Sequence, residues 1–203
     1  AVISYLVFFA GWTLRVVCVD LSGMNAFLSW AVGFFIHAVW WPLFALFLIK
    51  RYSNDLNISL KEMIATKPKL KLLLPLLAFA LVYNIAGFFM NSSGYGTTMK
   101  LYDLIVTAAT VGIFEESVFR GWFLNALSVF VSERKANLIS SALFVLIHYP
   151  GWIFAGYELK TVAVTSLSVY ALGLIFGWVF RKNRSIWTGA ILHSAWDFIT
   201  WVL

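Results

Sequence analysis

Charge is scarce in this chain: only 12% of its 203 residues are Asp, Glu, Lys or Arg, against about 25% in a soluble domain. That shortage excludes an ordinary solvated surface. Linker-like Gly/Ser-rich or Pro-rich stretches are absent, prolines number only four, and no internal repeat is evident, so one domain over 1–203 is expected. The single cysteine, Cys18, excludes an intramolecular disulfide framework and reads as a packing residue. Three familiar hydrolase signatures are also missing: His-Glu-x-x-His, Gly-x-Ser-x-Gly and Gly-x-Gly-Asp. A serine–histidine pair drawing on Ser117, Ser141 or Ser194 has no motif behind it.

What is present is apolar: 62% of the residues are hydrophobic, against roughly 45–50% in soluble domains. They fill runs of about twenty residues, the length that crosses a hydrocarbon core roughly 30 Å thick, and most runs lack the polar face of a soluble helix. Seven spans are expected, at 2–19, 26–49, 72–90, 101–130, 138–155, 162–180 and 186–203. The fold class is therefore all-α, a polytopic transmembrane helical bundle of about seven spans. The fourth span, at about 45 Å if continuous, must tilt, kink or emerge from the bilayer, with Gly112 and Gly121 as its weak points. The chain begins at Ala1 and ends within an apolar run at Leu203, which suggests a fragment of something longer. Further spans follow the first apolar run, so a cleaved signal peptide is not expected.

Loop charge alternates. Lys50, Arg51, Lys61, Lys67, Lys69 and Lys71 lie between spans two and three, Arg134 and Lys135 between four and five, and Arg181, Lys182 and Arg184 between six and seven, eleven of the fifteen basic residues. The opposite connections hold only Lys100 and Lys160. By the positive-inside rule the amino terminus is then inside and the carboxyl terminus outside. The basic loop 50–71 follows the first two spans, and its segment 56–65 reads either as an interfacial amphipathic helix or as an ordered loop. The net charge of +6 is accounted for by topology and anionic headgroups, so no nucleic-acid partner is expected. The ten tryptophans read mostly as interface anchors or packing, and Arg15 and Asp103 sit near span ends, where they can snorkel.

Against this background several polar residues stand out, because a charged group at membrane depth costs about 2.5–3.5 kcal/mol on insertion scales and calls for a partner or a purpose. Span four carries Glu115, Glu116 and Arg120, span five His148, and span seven His193 and Asp197. Residues four apart share a helix face, so Glu116 can pair with Arg120 while Glu115, rotated by about 100°, points elsewhere. His193 and Asp197 share a face, as do Phe144 and His148. These groups are expected to meet, at similar depth, in a hydrated cavity. One glutamate, two histidines and a further acid suggest hydrolysis: a buried Glu115 as general base, the imidazoles positioning water or stabilising an oxyanion. The same four side chains, Glu115, His148, His193 and Asp197, also make a reasonable zinc set, and the residues alone do not separate the two chemistries. Glu116 and Arg120 read as mostly structural, and His37, in span two and outside any motif, as structural or interfacial.

The segments Glu115-Glu116-xxx-Arg120, Phe144-xxx-His148 and His193-xxx-Asp197, in this order and each within an apolar helix, resemble the three signature motifs of the CAAX protease and bacteriocin-processing family, also called Abi or type II CAAX prenyl endopeptidase-like proteins. The approach Arg184-Ser185-Ile186-Trp187 also resembles that family. The likeness covers about 101–203, the expected catalytic core, while the first three spans fit as generic membrane helices. The resemblance implies an intramembrane glutamic-type endopeptidase acting on a membrane-associated or lipidated peptide or protein. It implies Glu115 as water activator, His148 as its assistant and His193 with position 197 as oxyanion binders, with Glu116, Arg120 and Phe144 supporting and no cofactor. Many members have asparagine where this chain has Asp197, which cannot donate a hydrogen bond when ionised; an acid there raises the zinc reading. The other readings are a non-catalytic scaffold or regulator and a proton-coupled transporter, the latter disfavoured by the lack of two related halves. The short, loop-poor chain suggests a bacterial cytoplasmic membrane.

Overall fold

The computed structural model describes residues 1–18, 25–90 and 101–202, so Lys100 and Leu203 lie outside the described residues. Among these residues the fold is entirely helical, with no strand. Each expected span is found as a helix or a stack of short helices. The first is α1 (Val2–Val16). The second joins α2 (Ala26–Phe34), a π-helical segment Phe35–Trp40 and α3 (Trp41–Arg51). A short α4 (Leu60–Ala65) precedes the third span, α5 (Leu70–Met90). The fourth joins α6 (Leu101–Glu116), a second π-helical segment Ser117–Leu124 and the single turn α7 (Asn125–Leu127). The fifth is α8 (Glu133–Leu146) followed by α9 (Tyr149–Phe154); the sixth and seventh are α10 (Leu159–Asn183) and α11 (Ile186–Val202).

The stretches Ala31–Arg51, Leu70–Phe89, Glu133–Phe154 and Leu159–Asn183 are each long and apolar enough to cross a bilayer. The protein is an integral membrane protein. Its outside agrees: Phe27, Phe47, Phe89, Leu159 and Leu167 are among many large apolar side chains left exposed, a surface that suits hydrocarbon and would promote aggregation in water. The core is aromatic. Phe8, Trp41, Phe119, Phe123 and Phe144 are all buried in one cluster, with Phe8 and Phe123 packed edge to face at 5.6 Å.

Two features differ from the expected spans. The fifth is not one helix: Pro150 has no N–H for the carbonyl of Leu146, the α ladder lapses there, and His148 sits in the turn between α8 and α9, not inside a helix. The fourth carries its irregularity at 117–124, around Gly121, in a π-helical stretch of a kind that recurs at functional sites. Gly112 is not a weak point. It lies within regular α6, where a Cβ would stand 2.8 Å from both the Ala190 carbonyl and the Ser194 amide nitrogen, so its small size brings α6 against α11. A second close seam joins α8 and α10: Gly173 would place a Cβ 3.0 Å from Ser141, and Asn137 Nδ2 donates to the Leu174 carbonyl at 3.0 Å. Such small-residue contacts are how helices associate in lipid, where burial of apolar surface drives little.

The three basic connections meet on one face of the bundle. Ser59 caps α4 by accepting from the Glu62 amide. Glu62 in turn takes two hydrogen bonds from the Arg184 guanidinium, that from Nη2 at 2.9 Å. Lys69 Nζ donates to the Lys182 carbonyl at 3.1 Å, Trp187 Nε1 to the Ile64 carbonyl at 2.7 Å, and Arg181 Nη1 to the Glu133 carbonyl at 3.0 Å. Within 56–65 only α4 is helical; Ile58, just before it, and Met63, within it, are buried. The hydrogen bond from Arg184 holds the Glu62 carboxyl below its ordinary value. A carboxyl depressed in the folded state stabilises above its unfolded pKa, roughly 4.3, and that contribution fades as pH falls through the folded value. Because the pair is partly exposed, it contributes at most about 1 kcal/mol. Glu62→Gln is therefore expected to lower the thermal midpoint in detergent by no more than roughly 2–4 °C at pH 7, with the difference shrinking as pH falls below roughly 4.3; a difference that grows in acid contradicts this account.

Candidate active site

The α6–α11 seam fixes the site. Gly112 lets the two helices touch, and Gly189 does the same near the opposite end, since a Cβ there would stand 2.7 Å from Glu116 Oε2. Between these contacts α6 presents its glutamate pair to His193 of α11. Glu116 is wholly buried, and Arg120 is 1% exposed. Arg120 Nη1 donates to Glu116 Oε1 at 2.8 Å, one turn along the same helical stretch, and Nη2 donates to the Gly173 carbonyl of α10 at 3.1 Å. The guanidinium also lies over the rings of Phe144 and Phe176, at 4.6 and 5.2 Å. Deleting one partner of a buried pair like this one typically costs about 3–5 kcal/mol.

Glu116 has a second role that its spacing did not reveal. Its Oε1 lies 3.1 Å from His193 Nδ1, and because an ionised carboxylate only accepts, Nδ1 carries the hydrogen and donates. That fixes the ring and turns Nε2 toward the other two acids, 3.9 Å from Glu115 Oε2 and 3.6 Å from Asp197 Oδ2. Phe176 stacks on the imidazole at 4.7 Å, and the Phe144 ring meets it edge-on at 5.8 Å. Phe144 also sits 5.0 Å from His148. There the Nδ1–H donates to the Phe144 carbonyl at 2.7 Å and Trp152 stacks at 5.4 Å, leaving Nε2 as the nitrogen available for chemistry. The Phe144 ring thus touches both imidazoles and sets His148 beside His193.

Glu115, His193, Asp197 and His148 are thus brought together, with Glu116, Arg120 and Phe144 supporting them. His37 is brought in as well. Its Nε2 lies 3.6 Å from Glu115 Oε1, so Glu115 has an imidazole on each side, His37 and His193. The expected structural or interfacial role gave no hint of this contact. The signal was available, since an imidazole far from any span end is as costly as the others, but no companion at helical spacing marked it. Phe176, Trp152, Gly173 and Gly189 also escaped notice, being apolar residues in apolar helices.

The meeting place is close-packed: Glu115 is 6% and His193 5% exposed, while the side chains of Asp197 and His37, each 17% exposed, form its more open edges. A cavity of about 800 Å³ lies elsewhere, lined by Ser4, Phe44, Leu48, Tyr52 and Trp122 among others, and none of the site residues borders it. Among the described residues no three His, Cys, Asp or Glu side chains are disposed to hold a metal ion. Glu116 neutralises a guanidinium and takes the Nδ1–H of His193, which leaves His193 Nε2 facing Glu115 and Asp197. Three carboxyl groups, Glu115, Glu116 and Asp197, stand close to one guanidinium and to His193, and groups this close exchange protons as a unit.

The sequence model of the family described as Rce1-like, type II CAAX prenyl endopeptidase, matches residues 97–199. All seven predicted site residues fall within that stretch; His37 does not. No curated protein and no solved structure matches the chain.

Gly189 offers a test of how tightly the acids are held. With Glu116 fixed by Arg120 and His193, the added methyl of Gly189→Ala has no flexible neighbour to displace, and a loss of about 1–3 kcal/mol is expected. Gly87→Ala, where a Cβ meets nothing within 4 Å, serves as the control. Equal thermal midpoints for the two variants in detergent would contradict the packing described.

Proposed function

Because the chain belongs to the type II CAAX prenyl endopeptidase Rce1-like family, a family of membrane proteases, we propose that it hydrolyses a peptide bond of a prenylated or otherwise lipidated protein with water activated by Glu115. The observation that carries the reading is the placement of Glu115 Oε2 opposite His193 Nε2 at 3.9 Å. That separation is too long for a direct hydrogen bond but allows a water oxygen to sit within reach of both. Glu115 takes the proton as water attacks the scissile carbonyl. His193, oriented by Glu116, and His148, oriented by its own backbone bond, stabilise the oxyanion or return the proton to the leaving amine. Asp197, facing the same nitrogen as Glu115, holds and balances the imidazole rather than donating to the oxyanion. No cofactor enters this scheme.

The test uses the purified protein in detergent or liposomes with a farnesylated peptide ending in a CAAX-type sequence. Glu115→Gln is expected to lower kcat by at least about 10²-fold while leaving the thermal midpoint close to that of the parent. Activity is expected to survive a strong zinc chelator. Full cleavage by Glu115→Gln removes the base assignment, and chelator inactivation reversed by zinc favours a metal mechanism.

We also propose that the amino terminus lies in the cytoplasm and the far end of α11 outside, in a bacterial cytoplasmic membrane. The support is the gathering of the basic connections on one face through Glu62–Arg184, Lys69–Lys182 and Arg181–Glu133, together with the brevity of the loops. In a Cys18→Ser background, Lys67→Cys is expected to resist a membrane-impermeant thiol reagent in intact cells while Lys160→Cys reacts. The reverse pattern inverts the topology.

A further inference from the structure

The residue that the mechanism above leaves unused is His37. It comes from the π-helical segment Phe35–Trp40, outside the stretch 97–199 that matches the family, and lies against the carboxylate given the central role. Its surroundings are built, not incidental. Trp12 of α1 and Trp41 at the start of α3 each meet the imidazole at 5.4 Å, steeply inclined to it. Phe114, the neighbour of Glu115 in α6, meets it at 6.2 Å and 82°. Three aromatic rings on three helices therefore confine the ring. The π-helical turn shifts the register of α2 against α3 and brings position 37 toward α6.

Within this cage Nε2 is buried and has no hydrogen-bond partner closer than Glu115. A buried ring nitrogen without a partner is costly, and the carboxylate oxygen 3.6 Å away is the acceptor that a small adjustment, or a single intervening water, would supply. The two oxygens of Glu115 are thereby distinguished: Oε1 faces His37 and Oε2 faces His193. Arg120, the cation nearest along the same span, pairs with Glu116 and not with Glu115.

We propose that His37 is a positioning residue for the peptidase reaction: its Nε2–H donates to Glu115 Oε1 and fixes the carboxylate plane, so that Oε2 alone addresses the water between Glu115 and His193. The inference rests on the reading of Glu115 as base. It adds that the amino-terminal spans complete the active site, supplying one side of it in addition to supporting the catalytic core. The acid and basic groups around this pair are Glu115, Glu116 and Arg120 from the fourth span, His148 from the fifth and His193 and Asp197 from α11, with Arg15 lying over Trp12 on α1.

The experiment pairs His37→Phe, which keeps a ring in the cage, with His37→Gln, which restores an N–H donor. With the farnesylated peptide, His37→Phe is expected to lower kcat about ten- to hundredfold, the effect of one hydrogen bond to a charged group, with KM within about twofold of the parent by the same reasoning. His37→Gln is expected to recover most of the loss, and neither change should move the thermal midpoint by much. A purely structural His37 would instead give lower stability with unaltered kcat, or equal loss in both variants, and either result overturns the proposal. A second measurement is independent of turnover: in 15N-histidine-labelled protein the His37 ring resonances, assigned through His37→Phe, are expected to move on Glu115→Gln. Resonances that stay in place overturn the pairing even if no peptide is cleaved. Failure of the parent protein to cleave, with the resonances moving, counts against the substrate reading and not against the contact.

Discussion

The fold is organised around one buried ion pair. Glu116 and Arg120 lie where hydrocarbon surrounds the bundle, and neither can be left there alone. Their mutual bond settles the charge, and the surplus valences reach outward: Arg120 to the Gly173 carbonyl of α10, Glu116 to the imidazole of His193 on α11. Three helical stretches are thus tied at one point. The aromatic rings of Phe144 and Phe176 cover the guanidinium and the His193 ring alike, so the same side chains that make the charge tolerable also orient the imidazole.

The helix packing follows from that requirement. In lipid, apolar surface gains little by facing other apolar surface, so close approach needs small residues and polar bonds. Gly112 and Gly189 provide the first along the α6–α11 seam. Asn137, whose amide bonds the Leu174 carbonyl, provides the second between α8 and α10. Thr200, donating to Asn84 at 2.9 Å, ties α11 to α5 beyond the site. The π-helical segments Phe35–Trp40 and Ser117–Leu124 both bear on the cluster: the first holds His37, and the second carries Arg120 directly after the glutamate pair.

The spans were readable in the sequence because lipid demands long apolar runs. The polar members of the site were readable because the same lipid makes each of them anomalous. Helical spacing then gave the Glu116–Arg120 pair and the shared face of His193 and Asp197. What spacing cannot report is a contact between helices. The bond from His193 to Glu116 joins positions 77 residues apart, and the approach of His37 to Glu115 has no local correlate either. The break at His148 had a local cause in Pro150, yet an apolar run is continuous whether or not its hydrogen-bond ladder is. Gly112 shows the converse: a glycine in a long helix suggests weakness by itself, and becomes a contact point only once α11 is seen against it.

The position of His193 in α11, the last of the described helices, bears on biogenesis. During membrane insertion Glu116 enters the bilayer 77 residues ahead of the imidazole it orients, so a partly synthesised chain lacks the contact that joins α6 to His193. Lateral release of α11 into the bundle is then the step that completes the buried cluster. An insertion-defective product would instead carry Glu116 in the bilayer with Arg120 as its one remaining partner from this cluster.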